Sequence, residues 1–319
     1  MIPRSTYRGI TEGTYWSNYT YYSYNRLNTL FRPLVTYDLA RFIEDHGFEA
    51  VPVYPGVPET YPDHPEPVAP GRPVPDVNLN IRIAAMACGL GEIGWSKVFI
   101  HPVFGPRVRI GNILTDAELD PDPLPEPKTL CKRCMKCVKM CPGNAIPGKD
   151  ELPSIKIHIE GKEYEWGDVN MGRCTATHHG INWKASPFLK KFFPGFNLDI
   201  TKTTMSEELA YKTAYTLALG GWGRQNPEFP GSYVNPYYRQ ILDHVGYFAV
   251  CGAKGCIRAC MEFQEKTHNI GQSEFSTPVF PEKAWELPPP ENDSTGGIVE
   301  KKALTELYQA PDLDAGEWK

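Results

Sequence analysis

Apolar positions along the chain fall into short periodic stretches divided by proline and glycine. Leu39, Phe42 and Ile43 recur at the three- and four-residue spacing that gathers side chains on one helix face. Thr36 as N-cap, Asp38 in the first turn and His46-Gly47 as the stop complete that helix. Phe48 to Val53 reads as a short strand, so the chain opens in α/β character. Eight prolines between positions 55 and 75 make the next stretch an extended connection. Ile81 to Cys88 reads as a helix ending at Gly89. Val98 to Asp116 reads as two strands about a Pro102–Pro106 turn, with Val108, Ile110 and Ile113 facing inward. Ile155 to Trp166 alternates as a hairpin around Glu160-Gly161. Ser206, with Glu207 and Glu208 behind it, caps a helix whose Leu209, Ala210, Ala214 and Leu217 are packing residues and whose stop is Gly220-Gly221. From about Phe275 the chain turns polar and proline-rich, an extended tail.

Charge and composition narrow the class. The 319 residues carry a formal charge of −5, and a nucleic-acid binder would carry a basic excess instead. No apolar run is long enough to span a membrane. The first residues lack a signal-peptide core, which makes the cytoplasm the expected location. Tyr15, Trp16, Tyr19, Tyr21, Tyr22 and Tyr24 crowd the start; such density suits either a flat ligand or a packing surface.

The chemistry lies in the cysteines. Cys131, Cys134, Cys137 and Cys141, followed by Pro142, have the C-x2-C-x2-C-x3-C-P spacing of an iron–sulfur run, in which the fourth thiol serves the other cluster of a two-cluster chain. Zinc or disulfides are the alternatives that spacing alone leaves open. Cys251, Cys256 and Cys260 supply three more thiols, and Cys174 completes eight of the nine, leaving Cys88. With the fourth thiol crossing over, one [4Fe-4S] cluster takes Cys131, Cys134, Cys137 and Cys260, and the other takes Cys141, Cys174, Cys251 and Cys256. A set of buried, redox-silent thiols is the alternative for the late cysteines, whose spacing is irregular. The string Gly89-Leu90-Gly91-Glu92-Ile93-Gly94 superficially resembles a dinucleotide fingerprint but follows a helix where that motif follows a strand. Its glycines suit close backbone approach to something large and flat.

The order of Gly89 to Gly94, His101 to Arg109, Leu114-Thr115-Asp116, the cysteine run, Trp166 to Cys174 and a late cysteine set resembles the reductive dehalogenase family and, more distantly, the epoxyqueuosine reductases. The resemblance implies a nitroreductase-like α/β cobalamin domain over residues 1–120. A ferredoxin-like domain with two [4Fe-4S] clusters would follow over 121–275, interrupted by an insertion at about 175–250, and then a tail over 276–319. It implies a corrin cradled by Gly89, Leu90, Gly91, Gly94, Phe104, Gly105, Arg107 and Arg109. Tyr24 would be the proton donor and Arg107 the cation that stabilises its phenolate; Tyr21 and Tyr22 are equally close, and a structural tyrosine is the plain alternative.

Three departures stand beside the resemblance. Little precedes residue 20 where the family carries a substantial N-terminal unit, which leaves the substrate cavity either incomplete or closed by another subunit that supplies such a unit. The late cysteines follow C-x4-C-x3-C without a proline. Residues 175–250 form a 76-residue insertion. The implied function is a cobalamin-dependent reductase of an organohalide or other activated carbon compound, fed by a low-potential donor such as ferredoxin or flavodoxin. An electron-transfer subunit with a degenerate cobalamin site and a ferredoxin-like assembly factor are the alternatives.

Overall fold

The Ile155–Trp166 alternation builds a regular antiparallel hairpin. Strands β5 (Ser154–Ile159) and β6 (Lys162–Gly167) pair with Ser154 opposite Gly167 and Ile159 opposite Lys162. The two-residue turn forms because Glu160 and Gly161 take φ of 46° and 79°, the left-handed pair whose twist matches that of the strands. Tyr164 and Trp166 face the interior. Lys156 and Glu163 pair across the outer face at 3.1 Å.

The computed structural model describes residues 22–23, 26–53, 69–72, 79–149, 154–182, 184–185, 198–218, 251 and 255–268, all within a unit spanning Met1–Val279. Tyr24, the aromatics at 15–21, most of the proline-rich stretch, the later part of the insertion and the tail lie outside them. In the order of the chain, β1 (Ala50–Pro52) follows helix α1 (Arg32–Asp45), and helix α2 (Ile81–Ala87) precedes β2 (Glu92–Ile93), β3 (Phe99–Ile100) and β4 (Ile113–Thr115). After them come the single turn α3 (Lys136–Lys139), the hairpin, α4 (Met171–His178), α5 (Glu207–Ala218) and α6 (Cys256–His268). No described helix is long and apolar enough to cross a membrane.

Tyr164 and Trp166 share a core with Ala85 and Met86 of α2, Ile93, Phe99 and Ile110. The hairpin beyond the cysteine run and the segment before it are thereby fixed to each other. Asn80 starts α2 by accepting the N–H groups of Arg82 and Ile83, both at 3.2 Å. Gly89, at φ 77°, ends it: its N–H reaches Met86 O and that of Leu90 reaches Ala85 O, each at 3.0 Å, the double closure of a left-handed helix stop.

Two local expectations are corrected. Helix α1 starts at Arg32, running on from a π-helical turn at Leu27–Phe31, and Pro33 fits its first turn. Thr36 is therefore internal, and its hydroxyl donates to Arg32 O and Pro33 O at 3.2 and 3.0 Å. The inward face consists of Thr36 and Ala40, while Leu39 and Phe42 are 49% and 59% exposed. Gly111 explains the inversion, since its backbone lies against the Thr36 methyl and leaves room only for small side chains. The Val98–Asp116 segment does not form its own strand pair: β3 pairs with β2, and β4 pairs with β1. Ile110 is nonetheless buried and Val108 packs against the same core. Ser206 caps α5 as expected, accepting the Leu209 N–H at 3.1 Å. Ala210 is fully buried with Ala176, Ile181 and Ile200, locking α5 to α4.

Candidate functional site

The cysteine run folds into a tight loop in which Arg133 and Met135 take φ of 52° and 57°. These left-handed positions bend the chain so that alternate side chains turn to one side. Cys131, Cys134 and Cys137 line one cavity with Cys260, which α6 delivers from the far end of the sequence. Trp95 and Phe263 complete its walls. The loop is held from behind by buried Glu92, whose carboxylate accepts the N–H groups of Lys128 and Leu130 at 2.8 Å each and of Cys131 at 3.1 Å. Gln264, fully buried on α6, donates to Leu130 O at 2.7 Å and pins the helix to the loop. Arg133 bonds Glu165 at 2.6 Å and lies 5.1 Å from the Trp95 ring.

The second group forms beside the first. Cys174 stands on α4, whose N-cap Asn170 accepts the Arg173 N–H at 3.0 Å. Gly255 sits against Cys251 O and Pro142, bringing the late loop onto the end of the cysteine run. Cys141, Cys174, Cys251 and Cys256 come close enough for their charges to oppose one another, and Cys256 feels Cys137 and Cys260 of the first group as well. The two groups adjoin.

Burial and crowding set the electrostatics. Burial pushes the Cys137 thiol up to about 12, reinforced by the like charges of Cys131 and Cys134. Burial likewise raises Cys131, Cys260, Cys251 and Cys256. Such thiols are protonated at neutral pH until a metal displaces the protons. Partial compensation is built in: the Trp95 N–H points at Cys131 Sγ and the Ala145 N–H at Cys141 Sγ, each at 3.3 Å. His178, whose Nδ1 lies 3.6 Å from Cys251 Sγ, is held well below its ordinary pKa by burial, then by His179 and Arg109.

A zinc site needs its sulfurs about 2.3 Å from a single ion. Among the described residues no group of three or more Cys, His, Asp or Glu side chains forms a ready-made metal-ion site of any kind. Four thiols spread around one cavity suit an iron–sulfur cubane, which is held by one thiolate on each iron. The residues fit that group. Cys88 is exposed at the end of α2, apart from both sets.

The segment expected to cradle a corrin packs its glycines against the protein's own chain. A Cβ on Gly91 would strike Ile100 O, one on Gly94 would come within 2.8 Å of the Ile100 side chain, and one on Gly89 within 2.7 Å of Asp122. The room these glycines leave is thus filled by the protein's own atoms. Arg107 is buried, at 3% exposure, and Arg109 bonds the neighbouring Val108 O at 2.9 Å. Gly105, at φ 56°, closes a tight turn with His101, whose ring stacks on Phe104 at 4.9 Å. Leu90 and Phe104 remain at the surface, 41% and 38% exposed. The Cβ directions of these glycines thus face the protein's own atoms, while Leu90 and Phe104 face outward.

Glu92, Gln264, Trp95 and His178 act on the cysteines without having been singled out in the sequence. Glu92 lies within the glycine string, and Gln264 lies one helical turn beyond Cys260, whose thiol its side chain bonds; Trp95 and His178 carry no local signal.

No family model matches the chain. Over 76 residues, 22% of the chain, it is 41% identical to a tetrachloroethene reductive dehalogenase of Dehalobacter restrictus and 40% identical to one of Desulfitobacterium hafniense. Over 62 residues it is 42% identical to an epoxyqueuosine reductase of Synechococcus. These stretches span 13% of either dehalogenase and 19% of the epoxyqueuosine reductase. The chain is similar, over about a fifth of its length, to reductive dehalogenase-like reductases, and to no particular member.

Proposed function

We propose that this chain is a two-cluster electron-transfer module of a reductase of the reductive dehalogenase type. One observation carries the reading: cysteines from separate parts of the sequence gather into two adjoining groups, with Cys260 beside the run and Cys141 beside the late set. That exchange is the pattern of a ferredoxin-like pair of [4Fe-4S] clusters. When bound, the clusters supply one-electron transfer at low potential. The chain's own residues hold the thiols in partly dry surroundings, direct the Trp95 and Ala145 N–H groups at Cys131 and Cys141, and set His178 against Cys251. Hydrogen bonds to cluster sulfurs and limited solvent access tune reduction potential. The donor is a low-potential carrier such as ferredoxin or flavodoxin. Electron paramagnetic resonance of the anaerobic, dithionite-reduced protein tests this. Two magnetically interacting cluster signals are expected, and a single isolated signal contradicts the pairing.

A second reading follows from the likeness to the reductases: the chain also binds cobalamin and reduces an organohalide or another activated carbon compound. The order of motifs through residues 89–109 favours it. Its test is retention of cobalamin after desalting: corrin absorption that stays with the protein supports this reading, and its loss leaves the electron-transfer module alone.

A further inference from the structure

Residues 128–149 contain Lys128, Lys132, Arg133, Lys136, Lys139 and Lys149 and not one Asp or Glu, in a chain whose formal charge is −5. Cys134 lies in the middle of this stretch. It is exposed, whereas the other seven cysteines of the two groups are partly covered. Lys132 is exposed beside it and lines the same cavity. Lys139 and Met140 are exposed at the end of α3. Arg133 is neutralised by Glu165, and Arg258 pairs with Glu262 at 2.9 Å. Lys132, Lys136 and Lys139 form no ion pair among the described residues, and Lys136 is steadied 5.7 Å from the Phe263 ring. Among the described residues, positive charge without an ion-pair partner therefore surrounds the point where the first cysteine group reaches solvent.

From this we infer that the surface formed by Cys134, Lys132, Lys136 and Lys139 is the docking face for an acidic, one-electron carrier protein of the ferredoxin class. The inference rests on the two-cluster reading and adds to it the place and charge of the donor. Opposite charge on the two faces raises the encounter rate and orients the carrier, and salt weakens the effect. In the step itself the reduced carrier loses one electron and the centre held by Cys131, Cys134, Cys137 and Cys260 gains it. No bond forms or breaks, and no proton moves.

The test uses iron-loaded full-length protein and an acidic [2Fe-2S] ferredoxin, reduced with dithionite and desalted. Cluster bleaching is followed by stopped flow, and binding of the oxidised ferredoxin by calorimetry. Wild-type reduction is expected to slow as salt rises from about 20 to about 300 mM. Lys136→Glu/Lys139→Glu, both outside the cavity lining, should slow it about tenfold at low salt and weaken ferredoxin binding. Reduction by the cationic methyl viologen radical should not slow. Lys139→Glu alone, outside the cavity, gives the same contrast in smaller measure should the double variant lose iron. Salt-independent reduction, or equal slowing with both reductants, overturns the inference. So does an unchanged ferredoxin rate with a shifted cluster potential, which would assign the lysines to balancing thiolate charge. Protein that binds no iron at all would instead remove the two-cluster reading on which the inference stands.

Discussion

The Glu92 carboxylate accepts the backbone N–H of Cys131 at 3.1 Å, so a residue of the glycine string holds the first thiol of the cysteine run in place. The same carboxylate takes the N–H groups of Lys128 and Leu130. Glu92→Ala leaves these donors without their acceptor, and hydrogen bonds to a charged group are the strong ones. The expected cost is about 3 kcal/mol of stability, together with a fall in iron per chain. Glu92→Gln, which keeps one acceptor oxygen, should cost less. Anaerobic urea unfolding and iron analysis of both variants check this.

Gly91 separates packing from ligand binding. Because a Cβ there meets Ile100 O and the Phe99 ring, Gly91→Ala should lower stability by about 1–3 kcal/mol whether or not cobalamin is present. Thermal melts with and without cobalamin measure it. Destabilisation confined to the cobalamin-loaded sample would return the glycine to the cofactor role expected from sequence.

Glu165 links the hairpin to the cysteine loop and makes the fold sensitive to acid. The Ser154 hydroxyl, bonded at 2.8 Å, and then the Arg133 guanidinium hold its carboxyl below the ordinary value of 4.5. A depressed carboxyl stabilises the fold above its unfolded pKa, and that contribution disappears as pH falls through the lower folded value. Wild type should therefore melt above Glu165→Gln at neutral pH, with the gap narrowing below about pH 4.5. Anaerobic melts across that range follow the gap, and a constant difference would show that the charge plays no part.

Elements with a local cause were legible in the sequence. The β5–β6 hairpin followed from strict alternation and Glu160-Gly161, and the start of α5 from Ser206. Grouping of the cysteines followed from spacing and from the exchange of the fourth thiol. In helix α1 Leu39 and Phe42 form the stronger apolar stripe, while contact with Gly111 selects the Thr36–Ala40 face. The packing around glycines 89, 91 and 94 was not legible, because sequence does not reveal that β3 and Asp122 fill the space beside them. Glu92 and His178 reach the cysteines through contacts 39 and 73 residues apart in sequence, and Gln264 ties its helix to Leu130 across 134, which no periodicity encodes.

Cys174 and Cys88 offer a paired comparison within one chain. Cys174 is partly covered and opposes the charges of Cys251 and Cys256, whereas Cys88 is exposed and belongs to neither group. Cys174→Ala should lower iron content and Cys88→Ala should leave it unchanged. The reverse pattern would move the eighth ligand to Cys88.

The central claim is that the eight grouped thiols hold two clusters. Iron and acid-labile sulfide, determined per chain on anaerobically prepared protein, test it most directly. About eight of each are expected from two [4Fe-4S] clusters. About four of each would leave one of the two cysteine groups without a cluster and contradict the account.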